Sequence, residues 1–296
     1  RLMKFNTMSA ALALVATLAG GAVQAEGHYV TGVEGLQGSS VPPAGNYYLG
    51  YLVNYDINGF QAPDAKDGIG GSGQVTALAN RIVNITDSKL FGADYGFETI
   101  IPVLRSSVKV GPLDASDSGV GDVYVGPLVL GWHGQQWDAV AAAGMWLDTA
   151  PNTLGDPTSP GKGYQSTMLT GGLTYYFDQQ KSISGSALFR YEYHGKKDNG
   201  VRPGDQLSLE WGLGKNYGAY SLGVVGYSQW QLSDDKGRLA NPGKAERHAL
   251  GAELVYPVAS ASLFLKGAAY KEFSVHGGSG PEPKGNLLRL SLVKPF

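Results

Sequence analysis

The chain contains no cysteine. Disulfides, thiolate nucleophiles and thiolate metal sites are excluded, and the composition fits export through an oxidising periplasm without requiring it. Charge is also scarce, with 16% of residues Asp, Glu, Lys or Arg, against about a quarter in an ordinary soluble domain. The net charge of −2 leaves no basic face of the kind nucleic acid demands. After the amino-terminal segment no apolar run reaches the length of roughly eighteen residues that a membrane helix needs, so helical spans are excluded. What the chain does have is glycine (44 residues) and tyrosine (17 residues), a pairing that suits short strands and turns. Its 296 residues fit one large β domain.

The first 25 residues read as a processing segment. Arg1 and Lys4 form its positive end, Ala10 to Val23 are apolar and small, and Val23-Gln24-Ala25 is a cleavage site for a secretory signal. Residues 1–25 are therefore expected to be removed, with Met3 as the start of translation and Glu26 the first mature residue. A short membrane anchor is the other reading, but the run is too short to cross a bilayer comfortably. Polar residues 26–45 follow, with Gly32, Gly35, Gly38 and the Pro42-Pro43 stop. They fit either a plug folded into a barrel or a loose periplasmic leader.

From Asn46 onward the apolar residues keep a period of two, the signature of strands. In Ser182–His194, Ile183, Ala187, Phe189, Tyr191 and Tyr193 face one way and Ser184, Ser186, Arg190, Glu192 and His194 the other. Asn46–Ile57, Lys89–Ile101 and Gln206–Gly214 repeat the pattern, and less regular segments fill the gaps to about twelve strands. For Gly73–Thr86 two registers stay open, one with Arg81 inward and one with Leu78 and Ile82 inward. The last stretch, Asn286–Phe296, sets Leu288, Leu290, Leu292 and Phe296 on one face and Arg289 and Ser291 on the other. About ten residues of this pattern is what a tilted strand needs to cross a bilayer. The terminal Phe also resembles the insertion signal of outer-membrane barrels, which makes the barrel-assembly machinery an expected partner.

The connections alternate long and short: Asn58–Ser72, Leu104–Ser118, Thr149–Gly163, Gln231–Lys244 and Ser274–Gly285 are long, whereas Asp87–Ser88, Gly134 and Asn216–Tyr217 are short. A soluble sandwich has no reason to obey this asymmetry, because both its ends meet the same solvent. The expected fold is all-β: a single antiparallel transmembrane β-barrel over residues 46–296, with about twelve strands, short periplasmic turns and long extracellular loops. Aromatics near the segment ends, such as Trp132, Trp137, Tyr175, Phe177, Tyr193 and Tyr256, fit interfacial girdles in outer-membrane lipid. A closed wall has no free edge to pair, so a monomer is expected.

Inward polar positions are the candidate site. Asp94, Glu98, Glu192, Glu210, Glu253 and Glu272 are set against Arg190, Arg247, Lys266 and Arg289, and charges in a narrow lumen must be paired or hydrated. Tyr48, Trp146, Tyr176, Tyr227 and Tyr270 are read as inward aromatics along the same path. No nucleophile elbow, zinc spacing or phosphate cradle occurs, so no catalytic residue, metal or cofactor is expected. Among the five histidines, His194 beside Glu192 and Arg190 is the best placed for acid–base work. A solvated histidine at the barrel mouth accounts for it as well. Asp234-Asp235 and the pair Asp64/Asp67 could hold a cation in the loops, or could simply be hydrated surface.

Several of these stretches resemble the family called Putative MetA-pathway of phenol degradation, a group of outer-membrane barrels. They are Glu34–Gly50 (EGLQGSSVPPAGNYYLG), Asn80–Pro102 (NRIVNITDSKLFGADYGFETIIP), Gly119–Trp132 (GVGDVYVGPLVLGW), Thr170–Asp178 (TGGLTYYFD) and Arg202–Gly218 (RPGDQLSLEWGLGKNYG). The resemblance spans nearly the whole chain after residue 25 and implies an outer-membrane location in a Gram-negative bacterium. It implies passive uptake of aromatic or other small hydrophobic solutes, and supplies no catalytic residues. A structural or adhesive barrel with a closed lumen, and a hydrolase at the barrel mouth, are the alternatives.

Overall fold

The period-two segments become thirteen antiparallel strands, with no α-helix, in a computed structural model that describes residues 27–63, 68–240 and 242–296. The expected signal segment 1–25, Glu26 and the pair Asp64/Asp67 lie outside the described residues. The strands are β1 (Gly45–Gln61), β2 (Ser72–Leu90), β3 (Ala93–Val110), β4 (Leu113–Val120), β5 (Val123–His133), β6 (Trp137–Leu147) and β7 (Ser166–Tyr176). They continue as β8 (Ile183–His194), β9 (Gln206–Asn216), β10 (Ser221–Gln231), β11 (Glu246–Val258), β12 (Leu263–His276) and β13 (Glu282–Pro295).

Neighbours in sequence pair all round the sheet, and β13 returns to β1 with Leu290 opposite Leu52, so the wall closes. Twelve strands form the ring and β4 is additional. The lower part of β3, Asp94 to Ile100, pairs with β5, and its upper part, Val103 to Val110, pairs with β4. Gly121 and Asp122 break what is otherwise one line of chain. The expected loop Leu104–Ser118 is thus a strand hairpin. Its serines and charges hid an alternation in which Val108 and Val110 pack on Ile57 and Phe60. The expected loop Ser274–Gly285 likewise shrinks to 277–281, because β12 and β13 run longer. Elsewhere the asymmetry holds, with turns 91–92, 134–136, 177–182, 217–220 and 259–262 at one end and loops 62–71, 148–165, 195–205 and 232–245 at the other. The turn end, which also holds Gly45 and Pro295, is the periplasmic one.

Outward positions are greasy: Leu52, Leu78, Ile82, Phe97, Leu169, Phe189, Leu213, Leu250, Leu288 and Leu290 are all exposed. No water-soluble fold leaves such a belt bare, and lipid is its natural cover. The open register of β2 resolves with Arg81 inward and Leu78 and Ile82 outward. One expectation inverts. Sequence reading puts Tyr48 in the lumen, but β1 must match β13, whose Arg289 and Ser291 face inward opposite Val53 and Tyr51. An arginine will not face hydrocarbon, so β1 turns Tyr51, Val53 and Ile57 inward and Leu52 and Tyr48 outward. The Tyr48 hydroxyl donates to Asn80 Oδ1 on β2, 2.8 Å away.

Candidate functional site in the barrel lumen

Residues 27–44 lie inside the barrel, and the inward charges of the wall converge on them. Glu34 is the hub. One of its carboxylate oxygens accepts from Arg81 Nη1 at 3.0 Å and Arg190 Nη2 at 2.6 Å. Arg81 also pairs with Glu98, and the Glu34 N–H donates to Glu210 at 3.0 Å. Tyr29 donates its hydroxyl proton to Glu210 and accepts from Arg190. On the opposite wall, Arg289 pairs with Glu253 and donates to the Gly32 carbonyl at 3.0 Å, while Leu36 N donates to Glu253 at 3.2 Å. Lys266 reaches the carbonyl of Glu34 at 2.8 Å and Glu253 at 3.3 Å. Each partner offsets the desolvation of the other, and removal of either would strand a buried charge. A further layer toward the loops joins Arg247 to Glu272 at 3.2 Å and to Glu282 at 2.6 Å.

The wall is shaped for this segment. A Cβ on Gly131 of β5 would sit 2.6 Å from Val41, and one on Gly214 of β9 would sit 2.8 Å from Leu36. These inward glycines leave room for side chains from the lumen, which is one reason a barrel this small can hold a second layer of chain.

Among the described residues, two cavities flank the segment within the lumen. The outer one, about 180 Å³, is lined by Val33, Val53, Tyr55, Val75, Ala77, Ala79, Trp146, Met168 and Leu287. The inner one, about 450 Å³, opens toward the turns between Leu49, Val83, Val129, Val140, Leu188, Val255 and Phe264. Glu34, Tyr51, Arg81, Glu98 and Arg190 border both, so the ionic hub is the partition between them.

At the loop end, residue 28 enters a chain of polar contacts. His28 Nε2 lies 3.2 Å from Asp122 Oδ2 and Nδ1 lies 2.9 Å from Ser166 Oγ. That hydroxyl is 2.8 Å from His194 Nδ1, and Glu192 accepts the backbone N–H groups of His28 and Tyr29. The His28 ring stacks on Trp146 at 5.6 Å. Asp122 binds loop 148–165 through the N–H groups of Thr149, Ala150 and Lys162. Burial raises its pKa, but the His28 hydrogen bond and the N–H groups of Lys162 and Ala150 outweigh that and hold the carboxyl below its usual range. Asp122, His28 and Ser166 follow the order of a hydrolytic triad, yet Ser166 is 1% exposed and lines neither cavity, so its hydroxyl has no space for an acyl group.

Of the residues singled out from sequence, Glu98, Arg190, Glu192, His194, Glu210, Arg247, Glu253, Glu272 and Arg289 are buried on the lumen side, with Lys266 half-buried there. Trp146, Tyr176, Tyr227 and Tyr270 are buried inward too. Asp94 sits at the periplasmic rim, held by Lys89 and by His133 Nε2 at 3.5 Å. Tyr48 alone faces outward. Asp234 accepts the N–H of Gly243 in its own loop and Asp235 that of Gly204 in loop 195–205, rather than the two converging as a cation cage. Sequence reasoning missed Tyr29, Glu34, Asp122, Ser166 and Glu282 as site residues. Asp122 stood in the quoted Gly-Asp strand start, and Glu34 was one acid in a polar leader with nothing local to mark its partners.

The fold is that of a solved outer membrane channel from Pseudomonas putida F1, at 14% identity and a TM-score of 0.76, covering 87% of this chain and 97% of that one. The β domain of a Bordetella autotransporter matches at 13% identity with a TM-score of 0.46, covering 86% and 100%. No protein of curated function matches the chain. A closed barrel with a lipid-facing exterior of this kind resides in the outer membrane of Gram-negative bacteria. The model of the family described as Putative MetA-pathway of phenol degradation matches residues 43–290, and the chain belongs to that family.

Proposed function

We propose that this protein is an outer-membrane channel for passive uptake of small hydrophobic or aromatic compounds, with residues 27–44 as its plug. The observation that carries the reading is the pair of cavities in series, apolar in most of their lining and separated by the Glu34–Arg81–Arg190 partition. Aliphatic and aromatic walls take up an apolar solute without asking it to lose hydrogen bonds. The buried ion pairs shut the straight path, so movement of the segment is the gating step and no covalent chemistry is involved.

The test is entry of an apolar fluorescent naphthylamine into cells whose lipopolysaccharide layer excludes it. Cells carrying the barrel should take up the dye faster. Ala77→Trp, which fills the outer cavity without touching an ion pair, should reduce that gain. If the folded barrel gives no gain in dye entry, the channel reading falls, and the closed lumen favours a structural or adhesive barrel.

A further inference from the structure

We propose that His28, Glu192 and His194 form a site for one divalent transition-metal ion of the zinc class, joining the inner segment to strand β8. The consequence for gating rests on the plug reading above, but the site itself does not. One ligand atom from each residue can be chosen so that all three lie within 4.8 Å of one another, and all three residues are buried. A tetrahedral zinc ion with bonds of about 2.0–2.1 Å sets its ligands about 3.4 Å apart, so side-chain shifts of about an ångström close the site.

Two observations point to an ion rather than to a chance cluster. First, His194 is 0% exposed, and its Nε2 has no hydrogen-bond partner. A bare imidazole nitrogen sealed from water is costly unless something binds it. Second, each imidazole already has the outer partner that metal-bound histidines use to fix their rings. Asp122 takes Nε2–H of His28, which leaves Nδ1 as a lone pair; Ser166 takes Nδ1–H of His194, which leaves Nε2 as a lone pair. With both rings neutral, the single Ser166 proton points to His28 Nδ1, so an ion bound at that nitrogen displaces it and the hydroxyl proton turns away, while His194 Nε2 is open as it stands. Glu192 supplies the anionic oxygen. Two histidines and a carboxylate suit zinc or cobalt, and the absence of sulfur disfavours copper(I). Lys162, Lys197 and Arg202 bring positive charge to this corner, and Asp122 sets a negative charge against it. Because one ligand comes from residue 28 and the other two from the wall, a bound ion would clasp the segment at its loop end.

The full chain, folded in detergent and stripped with a chelator, is titrated with zinc against a fluorescent zinc chelator and with cobalt(II) by visible absorption. One ion per chain is expected, with the intense cobalt bands of a four- or five-coordinate site. His28→Ala and His194→Ala should each weaken binding by at least about tenfold, and Ser166→Ala, an outer partner, by about tenfold. His276→Ala, on the exposed loop edge, should change nothing. A heat-dependent shift on gels reports that each variant is folded, and wild type is decisive without them. A folded wild-type barrel that binds no zinc at micromolar concentration overturns the site, as does zinc binding that survives both histidine variants. In planar bilayers zinc should lower the current and chelator restore it. Zinc held by these residues with an unchanged current upholds the site and removes the plug reading instead.

Discussion

Glu34 shows how one side chain organises the lumen. Two arginines from strands β2 and β8 converge on it, and it is the one carboxylate among residues 27–44. Truncating Arg190 to Met removes its bonds to Glu34 and to Tyr29 together, which should cost about 3 kcal/mol of anchoring. Larger and noisier single-channel currents would report it. Arg190→Lys keeps the charge and loses the fork, so its currents should fall between those of wild type and Met. Tyr48 and Tyr51 make a matched test of the face assignment on β1. Tyr51→Phe deletes a bond from Arg81 at 3.2 Å inside the barrel and should alter the current, whereas Tyr48→Phe deletes a bond on the outer face and should leave the current alone. Sequence reading sets these two tyrosines on opposite faces of β1 but turns the wrong one inward. Asn46, Asn54 and Asp56 share the parity of Tyr48, and only the fixed inward position of Arg289 on β13 selects the other face.

At the scale of elements, the inner segment and the break at Gly121-Asp122 are the parts that stand outside the strand ladder. Deleting residues 27–41 should leave a barrel that still folds, because the ladder from β1 round to β13 does not use them. The current should rise several-fold toward that of an open twelve-strand lumen. Asp122 ties loop 148–165 to the wall, and its carboxyl is held below the usual range. The sign follows: a lowered native pKa contributes stability that is present at and above ordinary carboxylate pKa values and is lost as pH falls through the native one. Protection of loop 148–165 against hydrogen exchange, relative to free amides at the same pH, should thus be constant from neutral pH to mildly acid conditions and fall only under strong acid. In Asp122→Asn that protection should be low throughout. Strand β4 pairs with β3 along one edge, and its other edge has no partner strand among the described residues. Its amides should exchange faster than those of β5, which is paired on both sides. The hairpin β3–β4 escaped sequence reading because Ser116, Asp117 and Ser118 look like a loop when nothing marks the strand they lie against.

For the molecule as a whole, stability rests on a wall that closes in lipid. Leu290, 55% exposed and paired with Leu52 across the β1–β13 seam, should tolerate any apolar replacement. Leu290→Arg should cost about 2–4 kcal/mol if it lies near the bilayer midplane, read as a lower midpoint of denaturant unfolding in lipid vesicles. Phe296 donates its N–H to the Asn46 carbonyl at 3.0 Å and its ring is exposed. The sequence alone determined that this is a closed, lipid-facing β wall with a charged interior, because a period of two and a long–short alternation of connections are local features written along the chain. It also placed most of the inward charges, since parity within a strand needs no partner. Which charges meet, which face β1 turns inward and whether residues 27–44 enter the lumen were decided only in three dimensions. Glu34 and Arg190 are 156 residues apart, and no local pattern reports a pair that exists only once the ring has closed.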